Sequence, residues 1–205
     1  RQYLRALSLR DDLRHADALE ALQKAESHGY SVAKSRLVMA RVHRAMAKHK
    51  LDENEYEAAA EHFEDAARFT TDGLILGKGA PLEDVASRLV ETHNEALRHL
   101  GRTFMDLGEQ KLNLHGKMDP DGRGGPMLEE AIGHMERAAR YLENSPEAHT
   151  ALADALWQRG DRDRARHHYQ LATRGSRTGA VRGFSVAVAD YIRQLIERGS
   201  GAGLG

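Results

Sequence analysis

The chain has 205 residues, enough for one domain or a short array with a core that folds on its own. Charged residues make up 30 % and hydrophobic ones 40 %, a globular balance, and 30 Lys and Arg against 31 Asp and Glu leave a net charge of −1. That neutrality gives no electrostatic pull toward nucleic acid or anionic membrane, and the absence of cysteine excludes disulfides and thiolate metal sites.

Aromatics are only 5 %, while Ala, Leu, Arg and Glu, all good helix formers, dominate. Apolar residues recur at helical spacing along nearly the whole chain, and strand signals are missing, so an all-α fold is expected. RQYLRALSLRDDLRH at the N-terminus alternates charge with apolar residues and is no signal peptide. Breakers then fall at Gly29, at 51–54, at Thr70 to Pro81, at Met118 to Pro126, at 144–146, at Gly160-Asp161 and at Gly175 to Gly179. They mark about eight helices, with hairpins over about 1–28, 31–69, 82–142 and 146–174, and a final helix over 180–197. Pro81, Pro126 and Pro146 each sit at a helix start, where the missing N–H costs nothing. Leu82, Val85, Leu89, Val90, Leu97, Leu100, Phe104, Leu107 and Leu112 fit one long helix. In the final helix Val181, Phe184, Val188, Tyr191, Ile192 and Leu195 form an apolar face, read as a cap or a dimerisation surface. The start at Arg1 and the flexible 199–205 tail, GSGAGLG, read as a piece of a longer protein with one helical-repeat domain over 1–198. No apolar stretch approaches the ~20 residues needed to span a bilayer, and the expected location is cytoplasmic.

A repeat runs through these helices. Ala165-x3-Tyr169-x2-Ala172 recurs 34 residues earlier as Ala131-x3-Met135-x2-Ala138, again as Ala59-x3-Phe63-x2-Ala66, and as Ala18-x3-Leu22-x2-Ala25. Ala33/Leu37/Ala40 and Ala148/Leu152/Ala155 match the same pattern out of phase. Upstream stand His149-x2-Leu152-Ala153-x2-Leu156, Leu97-x2-Leu100-Gly101-x2-Phe104 and Ser35-x2-Val38-Met39-x2-Val42.

This resembles the tetratricopeptide repeat, a pair of antiparallel helices in about 34 residues. The match is close over 146–173, partial over 95–142 and weak before that, with His149 standing where the family has Trp. The small residue of the first helix and the first Ala of the second are 12 apart in the last unit (153 to 165), 30 apart in the third (101 to 131) and about 20 apart in the second (39 to 59). These insertions are near whole helical turns, so elongated helices with an unchanged inner face are expected. The resemblance implies a short right-handed solenoid of helix hairpins, closed by a C-terminal capping helix.

Signals for chemistry are weak. His167-His168 cannot easily chelate one ion, because adjacent residues on a helix diverge by about 100°. Asp119 to Glu130 places acidic residues as a calcium loop does, but Arg123 and Pro126 spoil it. Gly73 to Gly79 lacks the spacing of a phosphate loop. No nucleophile elbow, metalloprotease motif or convergent carboxylate pair is found, so no enzyme, metal or cofactor is expected.

What remains is a groove. The resemblance implies that first helices grip a partner segment, and the matching positions are Arg98, Arg102 and Met105, then Glu147, Thr150, Asp154 and Trp157, then Arg36, His43 and Arg44. Arg pairs can bind carboxylates through bidentate hydrogen bonds, and Trp157 adds a rigid contact. The competing reading has these charges pair with one another. The expected function is a non-catalytic scaffold or adaptor that binds a protein or peptide. Alternatives are a self-associating assembly module and, less favoured, an RNA-binding array suggested by 23 Arg against 7 Lys.

Overall fold

A computed structural model of the chain describes residues 1–11, 14–76, 83–118 and 125–177. The described residues are all-α and contain no strand. The helices are α1 (Gln2–Asp11), α2 (His15–Ser27), α3 (Val32–Asp52), α4 (Tyr56–Leu76), α5 (Glu83–Met118), α6 (Pro126–Tyr141), α7 (Pro146–Arg159) and α8 (Arg162–Arg177). The expected final helix at 180–197, the tail at 199–205 and the loop residues 119–124 lie outside the described residues.

The chain forms two compact units, Arg1–Thr103 and Phe104–Gly205, with α5 passing from one to the other. In the first unit α1 packs on α2, α2 on α3 and α3 on α4. The first half of α5 runs antiparallel to α4: Leu89 lies against Gly73, His93 against Thr70 and His99 against Phe63. It runs parallel to α3, since Ala33 and Leu37 share a core with Val85 and Leu89 while Arg44 reaches Glu95 further along. Two successive first helices in parallel, with a second helix reversed beside them, is the packing of tetratricopeptide-like hairpins.

In the second unit the end of α5 runs antiparallel to α6. Phe104 stacks on Tyr141 and His134, and Lys111 pairs with Glu130. α6 packs on α7 and α7 on α8, around Leu128, Ile132, Met135, Leu152, Leu156 and Tyr169.

The repeat phase is visible in the turns. After α2, α3 and α7 the chain closes in the same way, through Gly29 (φ 78°), Asn54 (φ 60°) and Gly160 (φ 93°). In each, the next N–H reaches back to a carbonyl five residues earlier: Tyr30 to Ala25, Glu55 to Lys50, Asp161 to Leu156. This caps the last carbonyls of a helix and demands a left-handed residue, which Gly and Asn tolerate. Pro126 and Pro146 open α6 and α7 as expected, the latter with Ser145 Oγ accepting the Ala148 N–H.

Every Ala and large residue of the four in-phase copies is buried, from Ala18/Leu22/Ala25 to Ala165/Tyr169/Ala172. The out-of-phase copies are buried as well, on the first helices, so burial alone does not fix the phase; the turns do.

Two features depart from expectation. The break at Thr70 to Pro81 begins too early, because α4 continues to Leu76. Thr70 and Thr71 both donate their hydroxyls to the Ala67 carbonyl, and a Cβ at Gly73 would meet Leu89 and Arg36 at 3.0–3.2 Å. Tertiary contact thus holds a sequence of poor helix formers in the helix. In the third hairpin a close approach to Ala131 falls at Gly108, seven residues beyond Gly101, the small residue of the repeat pattern. Antiparallel helices bring together residues at similar distances from their turn, and Gly108 is seven residues nearer to it on the same face.

Candidate partner-binding face

The first helices carry the candidate residues, and the structure treats them differently. Arg36 is half-buried. Its guanidinium bonds Glu26 at 2.9 Å, lies 3.7 Å from Asp72 and sits 5.3 Å from the Phe69 ring centre. It thereby ties α2, α3 and α4 together. Arg44 pairs with Glu95 across α3 and α5. His43 is buried inside the α3–α4 hairpin, edge-on to His62 and against Phe69.

Arg98 and Arg102 stand apart from these. Both are exposed and neither makes an ion pair among the described residues. They lie four apart on α5 and so point the same way. Ala86, Ser87, Val90, Glu91, Asn94, Glu95 and Arg98 line a shallow hollow of about 680 Å³ along that helix. Val90 in it is 46 % exposed.

In the second unit Met105 is half-buried on α5. Asp154 lies at the surface, yet its carboxyl accepts the Tyr169 hydroxyl at 2.5 Å; desolvation pushes its pKa up, against the opposing pull of that hydrogen bond. Trp157 packs on the core beside Leu156 and is covered by the Arg162 guanidinium, 3.6 Å from the ring centre. Glu147 accepts the Ser145 hydroxyl at 2.7 Å, and Thr150 is half-buried.

Histidines form two further groupings. His149 and His168, on α7 and α8, stack with Nδ1 atoms 3.2 Å apart, and His149 Nε2 meets the Glu143 carbonyl at 2.8 Å. Burial, reinforced by the His149 and His167 rings, lowers the His168 pKa to about 4. The imidazole is therefore neutral in the folded chain. As pH falls below 6.5 the unfolded chain takes up a proton that folded His168 refuses until about pH 4, so stability is complete above 6.5 and is lost across that window. For a half-buried ring we expect a loss of about 1–2 kcal/mol. Urea midpoints from pH 7 to 4.5 should fall more steeply for the wild-type chain than for His168→Gln; equal slopes would remove this role from His168.

The second grouping, His43, His62 and Asp65, brings three ligand atoms within 4.8 Å of one another. Of these, sequence reasoning singles out His43 and misses His62 and Asp65. Their signal is the hairpin itself: His43 and Asp65 are equally far from the turn at Asn54, on facing helices.

No family model matches this chain, and no curated protein matches it. Solved structures do. MamA MSR-1 is 17 % identical, with 87 % of this chain and 97 % of that chain covered at a TM-score of 0.33. MamA AMB-1 is 18 % identical, with 92 % and 94 % covered at 0.32. The all-helical architecture rests on the packing described above, independent of that likeness. No helix among the described residues is long and apolar enough to cross a membrane.

Proposed function

We propose that the chain is a non-catalytic interaction domain whose exposed α5 face binds a carboxylate-bearing segment of a protein partner. The observation that carries this reading is the contrast among the arginines. Arg36, Arg44, Arg159 and Arg164 are engaged by Glu26, Glu95, Glu129 and Glu136. Arg98 and Arg102 point outward from the same helix without an ion pair among the described residues, next to the exposed Val90. Two guanidinium groups in such a position match carboxylates, and an apolar neighbour supplies desolvated contact. Asp154 and Trp157 on α7, with Met105 on α5, are proposed to add contacts of their own, Asp154 choosing basic or hydroxyl groups. Arg36 and His43 serve this reading indirectly, by fixing the hairpin from which α5 is presented.

The test is capture of partners by the wild-type chain and by Arg98→Ala/Arg102→Ala. The double variant should keep its helical circular dichroism and melting temperature, because both side chains are exposed, and should lose most of the captured protein. Unchanged capture by a folded double variant would place the interface elsewhere.

A further inference from the structure

Three buried imidazole nitrogens in and beside the α3–α4 hairpin make no hydrogen bond among the described residues: His43 Nδ1, His62 Nδ1 and His15 Nε2. Buried polar groups in folded proteins are satisfied in the great majority, so this concentration asks for an explanation. His43 Nδ1 lies 3.4 Å from Asp65 Oδ2, too long and poorly directed to count as a hydrogen bond.

The chain supplies its own comparison. His149 and His168 are 19 residues apart across the α7–α8 hairpin, and His43 and His62 are 19 apart across α3–α4, at the same distances from the turns at Gly160 and Asn54. The first pair is what packed structural histidines look like, with His149 nitrogens bonded to His168 and to the Glu143 carbonyl. The second pair leaves its Nδ1 atoms unused and has a carboxylate, Asp65, where the other hairpin has Leu171.

We propose that His43, His62 and Asp65 form a binding site for a divalent transition-metal ion of the zinc type, which clips α3 to α4. Two imidazoles and one carboxylate are a donor set that zinc accepts in four-coordinate geometry. At metal–ligand bonds of about 2.0–2.1 Å the edge of a tetrahedron is roughly 3.3 Å, so the 3.4 Å between His43 Nδ1 and Asp65 Oδ2 already fits one edge. The other donors, within 4.8 Å, close by side-chain rotation. Asp65 is held in a suitable orientation, because Arg68 bonds its Oδ1 and leaves Oδ2 toward His43. Burial lowers the His43 pKa, against the opposing charge of Asp65, and so favours the neutral imidazole that a metal requires. The fourth position is left to water. Asp65 and His62 are only half-buried, which leaves a way in.

Titration of the chelator-treated chain with cobalt(II) tests this. One equivalent should bind, with the intense visible bands of a four-coordinate ion, and zinc should displace it and raise the melting temperature. Asp65→Asn and His62→Ala should each weaken cobalt binding by about tenfold or more, losses on the scale that disturbance of a metal site brings. His168→Ala should leave it intact. Should His62→Ala unfold, the near-isosteric Asp65→Asn decides alone. Absence of binding to the wild-type chain at millimolar cobalt would overturn the proposal, as would binding that survives Asp65→Asn or that His168→Ala abolishes.

Discussion

Phe63→Ala is expected to cost about 3–5 kcal/mol, the usual range for emptying a buried aromatic site. Phe63 is fully buried at the centre of the α4 copy of the repeat, between Ala59 and Ala66, which are also fully buried. Its ring stacks on His99 at 5.3 Å and 10°, so it joins α4 to α5 as well as filling the hairpin. The flanking alanines are small and cannot swing in, and the turn that opens the hairpin is capped, so collapse into the void is limited. Phe63→Leu should recover about half of the loss by refilling volume. Urea unfolding reads the difference directly. A Phe63→Ala midpoint equal to the wild type would mean that α4 does not pack through this face.

Gly108→Val is the overpacking counterpart. A Cβ at Gly108 would stand 2.7 Å from Met135 Cγ and 3.2 Å from the Ala131 carbonyl oxygen. Met135 is only 1 % exposed and has nowhere to go, and the carbonyl is backbone, so α5 and α6 must separate. The expected cost is about 1–3 kcal/mol, net of the few tenths that replacing a helical glycine returns. Gly133→Ala provides the opposite sign on the neighbouring helix. Nothing lies within 4 Å of its added methyl, so the gain in helix propensity should stabilise the chain by about 0.4–1 kcal/mol. Opposite shifts of the two variants in the melting temperature would confirm the close approach at Gly108; a neutral Gly108→Val would refute it.

Much of this architecture can be read from the sequence because its signals are local. The Ala-x3-large-x2-Ala copies mark buried faces of second helices, and Gly29, Gly160 and the two helix-opening prolines mark turns by backbone geometry that few residues can adopt. The stretch between α1 and α2 carries no glycine or proline, and the sequence marks no break there. The extension of α4 to Leu76 is hidden for a different reason. Thr70, Thr71 and Gly73 argue against a helix one by one, and only contact with Leu89, further along the chain, reverses that. Gly101 and Gly108 are seven apart on one face, so periodicity alone cannot choose between them.

The site is less legible, because a side chain's availability depends on its neighbours. Arg36, Arg44, Arg98 and Arg102 look alike in a helical repeat. Glu26, Asp72 and Glu95, which engage the first two, come from other helices. His43 likewise has the spacing of a groove residue but faces its own hairpin, where His62 and Asp65 meet it. Ligand patterns within one helix never bring these three together; the fold does.

The salt dependence of partner affinity tests most directly whether Arg98 and Arg102 hold a carboxylate-bearing partner. Charge contacts at an exposed face weaken as the screening length shrinks from about 10 Å at 0.1 M salt to about 3 Å at 1 M. The wild-type chain should lose affinity steeply over that range and Arg98→Ala/Arg102→Ala only slightly, so that the two converge at high salt. Parallel curves, with the double variant binding as tightly as the wild type at low salt, would contradict it.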